Sequence, residues 1–161
     1  MTIAPGSGAQ RREEERRAYL LDTNIVSDAI RPVPSPATAA WFADREDDEL
    51  FVSAFTLGEV WRGVLEAVPG SRRRRALEAW YAGPGGPPAL FAGRVLAFGE
   101  RAAGEWARLM AEGTAVGRPR SALDMILAAT AAANGLVVAT ANERHFRDCG
   151  VPWINPAVGP A

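Results

Sequence analysis

The apolar residues of the chain fall into short runs that are separated by segments of helical periodicity. Four runs predict strands, at 19–21, 50–53, 94–98 and 136–139, and a fifth at 152–155 is expected to form an edge strand. The run at 136–139 is uniformly apolar, which is typical of a parallel strand buried on both faces. Because no two runs are joined by a hairpin signal, we predict a parallel sheet.

The segments between these runs predict helices that cover the sheet in layers. Polar residues that can cap a helix precede several of them: Thr23 or Asn24 for the first, and Ser35, Ser71 and Ser121 for three later ones. The predicted helices span 23–30, 36–47, 55–69, 72–81, 99–111 and 122–133, with glycine-rich loops at 83–88 and 112–120. The fold class is therefore α/β.

Length and composition narrow the classes of protein that this chain can be. With 161 residues we expect one domain at 18–161, preceded by a polar, flexible extension at 1–17. The net charge of -1 argues against a uniformly basic surface. All 18 basic residues are Arg, which excludes a phosphate-loop lysine and Schiff-base chemistry.

Cysteine usage and hydropathy predict a cytoplasmic protein without a membrane segment. The single Cys149 has no partner for an internal disulfide, and it is interpreted as a small buried apolar residue. No apolar run approaches the ~20 residues that cross a bilayer. The N-terminus lacks the apolar stretch of a signal peptide.

Three acidic residues and one amide are expected near the carboxyl edge of the sheet. Asp22 ends the first strand, Glu59 lies on the helix after the second, and Asn142 follows the fourth. Asp124 opens the helix before the fourth strand and needs the tertiary fold to bring it there. Carboxylate and amide oxygens suit Mg²⁺ or Mn²⁺ rather than zinc. From the residues alone, a metal site and a set of unrelated surface acids are equally good interpretations.

Four motifs follow one another along the chain: Leu-Asp-Thr-Asn-Ile-Val-Ser at 21–27, Thr-Leu-Gly-Glu-Val-Trp-Arg-Gly at 56–63, Asp-Met-Ile-Leu-Ala-Ala-Thr-Ala at 124–131 and Gly-Leu-Val-Val-Ala-Thr-Ala-Asn at 135–142. In order and spacing they resemble the PIN domain, with VapC-type toxins of bacterial toxin–antitoxin modules as the nearest subfamily. The closing segment at 150–156 is similar as well. The resemblance implies a three-layer α/β/α sandwich and a Mg²⁺- or Mn²⁺-dependent endoribonuclease. It also implies an antitoxin that masks the site, and a homodimer.

The resemblance also implies roles for individual residues. Asp22 and Asp124 would be the principal metal ligands, and Glu59 would complete the acidic cluster through the ion or its waters. Asn24 would order the first loop, and Thr140 would support the water shell of the ion.

This chain departs from the PIN pattern after the fourth strand. Asn142 stands where many members have an acid, and His145 stands where VapC-like members often have a later Asp. The site therefore has less negative charge, and we expect one metal ion. His145 is interpreted as a surface residue, with contact to RNA phosphate or proton donation to the leaving oxygen as its functional alternative. Arg62, three residues after Glu59, is predicted to pair with it in the metal-free site.

Two other functions remain as alternatives. The first is a catalytically impaired PIN fold that binds protein or RNA, which the loss of an acid at His145 favours. The second is another α/β phosphohydrolase or nucleotide-binding domain. That one ranks last, because the chain has no Gly-x-Gly-x-x-Gly motif and no second Asp two residues after Asp22.

Overall fold

The computed structural model describes residues 17–158, which contain a five-stranded parallel sheet in the order β3-β2-β1-β4-β5. The strands are β1 (Tyr19–Leu21), β2 (Leu50–Ser53), β3 (Val95–Leu96), β4 (Val137–Ala139) and β5 (Trp153–Ile154). In register, Leu20 of the central strand lies between Phe51 and Val138. All five strands correspond to predicted runs, although β3 and β5 are only two residues long.

Helices lie between the strands over the same part of the chain. They are α1 (Thr23–Ala29), α2 (Pro36–Ala43), α3 (Ala54–Leu65), α4 (Arg72–Ala82), α5 (Pro87–Leu90), α6 (Glu100–Ala115), α7 (Ala122–Asn134) and α8 (Glu143–Phe146), with a 3-10 turn at Asp47–Glu49. Ser35, Ser71 and Ser121 cap α2, α4 and α7 as predicted. Gly135 ends α7 in the left-handed conformation at φ 67°.

The sheet separates two apolar cores, because successive side chains of each strand point to opposite faces. On one face, Leu20 and Val138 pack with Leu109 of α6 and Met125 of α7. On the other face, Leu21, Val52 and Ala139 pack with Ile25 and Val26 of α1. This three-layer α/β/α arrangement confirms the predicted fold class, and it leaves the carboxyl ends of the strands free at one edge.

Several helix ends differ from the sequence prediction. Asp22, rather than Thr23 or Asn24, caps α1, because its extended backbone lets the carboxylate accept from the amide of Thr23. Helix α3 ends at Leu65 rather than near 69, and Pro69 disfavours helical backbone at the residue before it. A short α5 lies where a continuous loop at 83–88 was expected.

Helix α6 continues to Ala115, so the predicted loop at 112–120 is helical over its first four residues. Gly113 was interpreted as a loop residue, but it allows a close packing contact. A β-carbon there would lie 2.9 Å from the carbonyl oxygen of Arg118 and 2.9 Å from Cγ of Arg120. The glycine therefore lets the chain at 118–120 pack against the helix.

The predicted extension at 1–17 lies outside the described residues except for Arg17, so the boundary at residue 18 stays a prediction. Cys149 is buried, as expected. Between residues 17 and 158, none of the helices is both long and apolar enough to cross a membrane.

Candidate active site

Asp22 lies at the carboxyl end of β1, where three donors hold its carboxylate. The amide of Thr23 donates to Oδ1 at 2.7 Å, and Nδ2 of Asn24 and Oγ1 of Thr140 donate to Oδ2 at 2.7 and 2.6 Å. Burial raises the pKa of Asp22, and the charge of Asp124 raises it further, whereas these three hydrogen bonds lower it. The net shift is upward, so the carboxylate is incompletely compensated by the protein.

Asn24 and Thr140 also connect Asp22 to the loop that follows β4. Oδ1 of Asn24 accepts from the amide of Ala141 at 3.0 Å, and Oγ1 of Thr140 accepts from the amide of Asn142 at 2.9 Å. Asn24 thus joins the first turn of α1 to the loop after β4, whereas the resemblance implied only that it orders a first loop. The Thr140 hydroxyl directly contacts the Asp22 carboxylate and is fully buried.

Glu59 reaches the same edge from α3, which follows β2. Ser53 caps this helix, and the Thr56 hydroxyl lies 3.4 Å from the carbonyl oxygen of Leu21, so α3 begins beside the end of β1. Oε2 of Glu59 accepts a short hydrogen bond from the Thr23 hydroxyl. Thr23 was not among the candidate site residues. Its position between Asp22 and Asn24 was the only signal in the sequence.

Asp124 is brought to the edge by the direction of α7. A helix that directly precedes a parallel strand runs antiparallel to it, so the first turn of α7 lies over the carboxyl end of β4. Asp22, Glu59, Asp124 and Asn142 line one hollow of about 350 Å³, here called the acidic hollow. The fold therefore brings the three predicted acids and the amide together.

His145 contacts Asp124 instead of lying free on the surface. Its Nδ1 is 2.7 Å from Oδ2 of Asp124 and 2.8 Å from Nδ2 of Asn142, and its Nε2 accepts from Nε of Arg144 at 3.1 Å. An acceptor at Nε2 and a carboxylate at Nδ1 fit a ring that carries its proton on Nδ1. The side-chain amide of Asn142 can accept a hydrogen bond from that proton when its oxygen, rather than its nitrogen, faces the ring.

Arg62 does not pair with Glu59, so that prediction was wrong. Its Nε lies 3.4 Å from Oε1 of Glu66, one turn further along α3. The Glu59 carboxylate is instead held by Thr23. The Arg62 side chain is mostly exposed. Its ion pair with Glu66 is weak, because both side chains are solvated and lie on one helix.

The donor atoms of the acidic hollow fit a hard divalent cation. Within residues 17–158, Asp22, Glu59 and Asp124 form no ion pair with an Arg, although such clustered charge requires compensation. Oxygen ligands suit Mg²⁺ or Mn²⁺, whereas zinc prefers the thiolate of Cys or the imidazole of His. In the same part of the chain, no three acidic, His or Cys side chains already converge on one point. Binding one ion through all three acids would thus require side-chain rotation, with Glu59 leaving Thr23.

Residues 19–151, which include every residue of the acidic hollow, match the PIN domain. The chain belongs to the PIN-domain family. It is 36% identical over 137 residues to the VapC ribonuclease Y4jK of Sinorhizobium fredii, covering 85% of this chain and 96% of the relative. This confirms the resemblance that the four motifs carry.

Solved structures of the family share the architecture. FitAcB from Neisseria gonorrhoeae matches with a TM-score of 0.77 and 32% identity, covering 86% of this chain and 97% of the other. VapBC-5 from Mycobacterium tuberculosis, a member of the VapBC family of toxin-antitoxin systems, matches with a TM-score of 0.56 and 25% identity, covering 86% and 98%. The PIN-domain protein described here is thus similar to these chains over nearly their whole length.

Proposed function

We propose that this PIN-domain protein is a Mg²⁺- or Mn²⁺-dependent endoribonuclease and the toxin of a toxin–antitoxin pair. The observation that carries the proposal is the acidic hollow, in which Asp22, Glu59 and Asp124 face one space. No Arg within residues 17–158 neutralises any of the three. A relative that is named as a ribonuclease supports the choice of RNA as the substrate. The site lies where α/β folds bind their ligands, beyond the carboxyl ends of the strands.

Asp22 and Asp124 would hold the ion, with Glu59 reaching it directly or through water. A divalent ion at such a site polarises water and offsets charge on the phosphodiester under attack. The protein contributes orientation. Thr140 and Asn24 hold one oxygen of Asp22, and His145 contacts one oxygen of Asp124, so these contacts orient both carboxylates.

The same proposal includes two protein partners. We expect a cognate antitoxin that covers the acidic hollow, because a similar solved chain belongs to a toxin-antitoxin system. We also expect a homodimer. Light scattering on the chain purified alone and together with a candidate antitoxin tests both assemblies, and loss of RNA cleavage in the complex would test whether the hollow is covered.

The decisive experiment is cleavage of total cellular RNA by the purified chain, with Mg²⁺, with Mn²⁺ and with chelator. Asp22→Asn and Asp124→Asn keep side-chain shape and remove charge, so cleavage should be lost in both. Asp44→Asn is the matched control, since Asp44 is exposed and does not line the acidic hollow. Cleavage that survives in both site variants, or that ignores the chelator, would refute a metal-dependent nuclease site at the acidic hollow.

A catalytically impaired PIN module remains the second candidate, and one contact favours it. The His145 ring occupies an oxygen of Asp124 that an ion would otherwise use. RNA binding without turnover in either metal, by a folded sample free of antitoxin, would support this candidate.

A further inference from the structure

A second hollow opens beside the acidic one, between α3, α7 and the segment after β3. It has a volume of about 440 Å³ and is lined mainly by Phe55, Gly58, Phe98 and Ile126, with Arg62 at its charged side. We call it the apolar hollow. It shares Ser53, Phe55 and Glu59 with the acidic hollow, so the two form one continuous surface.

Two aromatic rings of the apolar hollow are partly open to solvent. Phe55 is 39% exposed and Phe98 is 40% exposed. Among the described residues, neither Phe55 nor Phe98 stacks on another aromatic ring. The aromatic pairs there join Tyr and Trp side chains, and in one case Phe42 with Trp41. Because both rings line the same hollow, they form one shared apolar surface rather than two isolated exposed side chains.

Arg62 adds a cation to this apolar surface. Its side chain is 66% exposed, and its ion pair with Glu66 is between two solvated groups on one helix. Such a pair is weak and is easily exchanged for another partner. An aromatic face with an adjacent guanidinium is the combination on which proteins stack the unpaired bases of single-stranded RNA.

We infer that the apolar hollow binds an unpaired base of the RNA, one that neighbours the phosphate held at the acidic hollow. The inference rests on the proposed ribonuclease function. Continuity between the two hollows favours a nucleotide over a protein segment. Phe55 lines both hollows, so a strand with its phosphate near Asp22 and Asp124 would bring its next base close to this ring. The nuclease would therefore act on single-stranded RNA or on loops, since a paired base cannot enter.

Two glycines of α3 provide a matched test of this site. Gly58 lines the apolar hollow, and a β-carbon built on it meets no atom within 4 Å, so a larger side chain extends into open space. Gly63 on the same helix is equally open and is not among the residues of that lining. Gly58→Leu thus fills the hollow, and Gly63→Leu is the same change outside it. Phe98→Ala removes one ring without adding volume.

The experiment measures binding of short fluorescein-labelled single-stranded RNAs with Ca²⁺ in place of Mg²⁺, so that the carboxylates are compensated. Each RNA carries one 2-aminopurine at a different position, and gels check that it stays intact. Gly58→Leu and Phe98→Ala should weaken binding roughly tenfold, the effect of losing about one stacked base. One 2-aminopurine position should be quenched by the wild type and recover in both variants. Gly63→Leu should match the wild type. With Mg²⁺, the variants should raise KM more than they lower kcat.

The outcomes separate this inference from the proposed function. If the wild type cleaves RNA and both variants bind and cleave equally well, the base site is refuted while the nuclease stands. If the variants alter oligomeric state or antitoxin binding at unchanged RNA affinity, the hollow is a protein interface and the inference fails. If the wild type neither binds nor cleaves RNA, both proposals fail. Thermal melts check that each variant is folded. If Gly58→Leu does not fold, Phe98→Ala alone tests the base site.

Discussion

Replacing Thr140 by Val should destabilise the fold far more than the same replacement at Thr130. Both side chains are fully buried, so the two changes match in shape and burial. The Thr140 hydroxyl donates to the Asp22 carboxylate at 2.6 Å and accepts from the amide of Asn142 at 2.9 Å. Among the described residues, the Thr130 hydroxyl donates only to the carbonyl oxygen of Ile126 on its own helix, at 2.8 Å.

The expected size follows from these partners. A hydrogen bond to a charged group contributes about 1.5–3 kcal/mol, and a buried N–H left without a partner costs about 1–3 kcal/mol. Because the Asn142 amide is only partly buried, the lower half of the second range applies. Thr140→Val should therefore lower the free energy of unfolding by about 3 kcal/mol. Thr130→Val removes one neutral bond whose acceptor remains in the helix, so about 1 kcal/mol or less is expected.

Urea unfolding followed by circular dichroism, in chelator so that no ion contributes, measures both values. With a slope of about 2 kcal/mol per molar urea, the Thr140→Val midpoint should fall by roughly 1.5 M and the Thr130→Val midpoint by less than about 0.5 M. Equal slopes would show that the compactness of the unfolded state has not changed. Midpoints for the two variants that agree within error would refute the view that Thr140 holds the acidic hollow together.

Further substitutions test other parts of the structure. Ser35→Ala removes the cap of α2 and should cost about 1 kcal/mol in urea melts. The Ser35 hydroxyl also lowers the pKa of Asp28, so the stability it adds is complete above the ordinary value of 3.8 and is lost as pH falls through the lower folded value. The deficit of Ser35→Ala should therefore shrink in acid, and a constant deficit would contradict this. Gly135→Ala should lower the free energy of unfolding by about 1–2 kcal/mol, because its φ of 67° is left-handed. Gly58→Ala should raise the free energy of unfolding by about 1 kcal/mol, because Gly58 lies in a helix with open space around it. Thermal melts that rank the two variants the other way would refute both reasons. His145→Gln should slow metal-dependent initial rates less than tenfold if the ring only positions a carboxylate, and a loss above a hundredfold would make it a proton donor.

The layered fold was predictable because its signals are local. Each strand is a short apolar run, and each serine cap stands directly before its helix, so neither needs knowledge of distant residues. Asp22 could be placed for the same reason, since it ends the first run. The errors lie at helix ends, where Gly113 was interpreted as a loop residue although its missing side chain admits the segment at 118–120. Such close packing depends on tertiary structure and leaves no local pattern.

Contacts within the site were less predictable than the positions of its residues. The direction of α7 follows from its place before a parallel strand, so the topology was sufficient to bring Asp124 to the carboxyl edge. The contacts that hold the carboxylates could not be predicted in this way. The pairs Thr23 with Glu59 and His145 with Asp124 join residues that are far apart in sequence. Helical spacing suggested Arg62 as the partner of Glu59, but in the structure Arg62 pairs with Glu66 and Thr23 donates to Glu59.

The His145 contact bears on how many ions the acidic hollow can hold. A ring that donates its Nδ1 proton to Asp124 orients the carboxylate and adds no negative charge, unlike the acid that the PIN pattern favours at this position. The hollow then has three carboxylates, and the pKa of Asp22 is already raised by burial and by the charge of Asp124. One divalent ion would balance most of that charge, and His145 and Asn142 supply no further carboxylate to hold a second. We therefore expect a single ion.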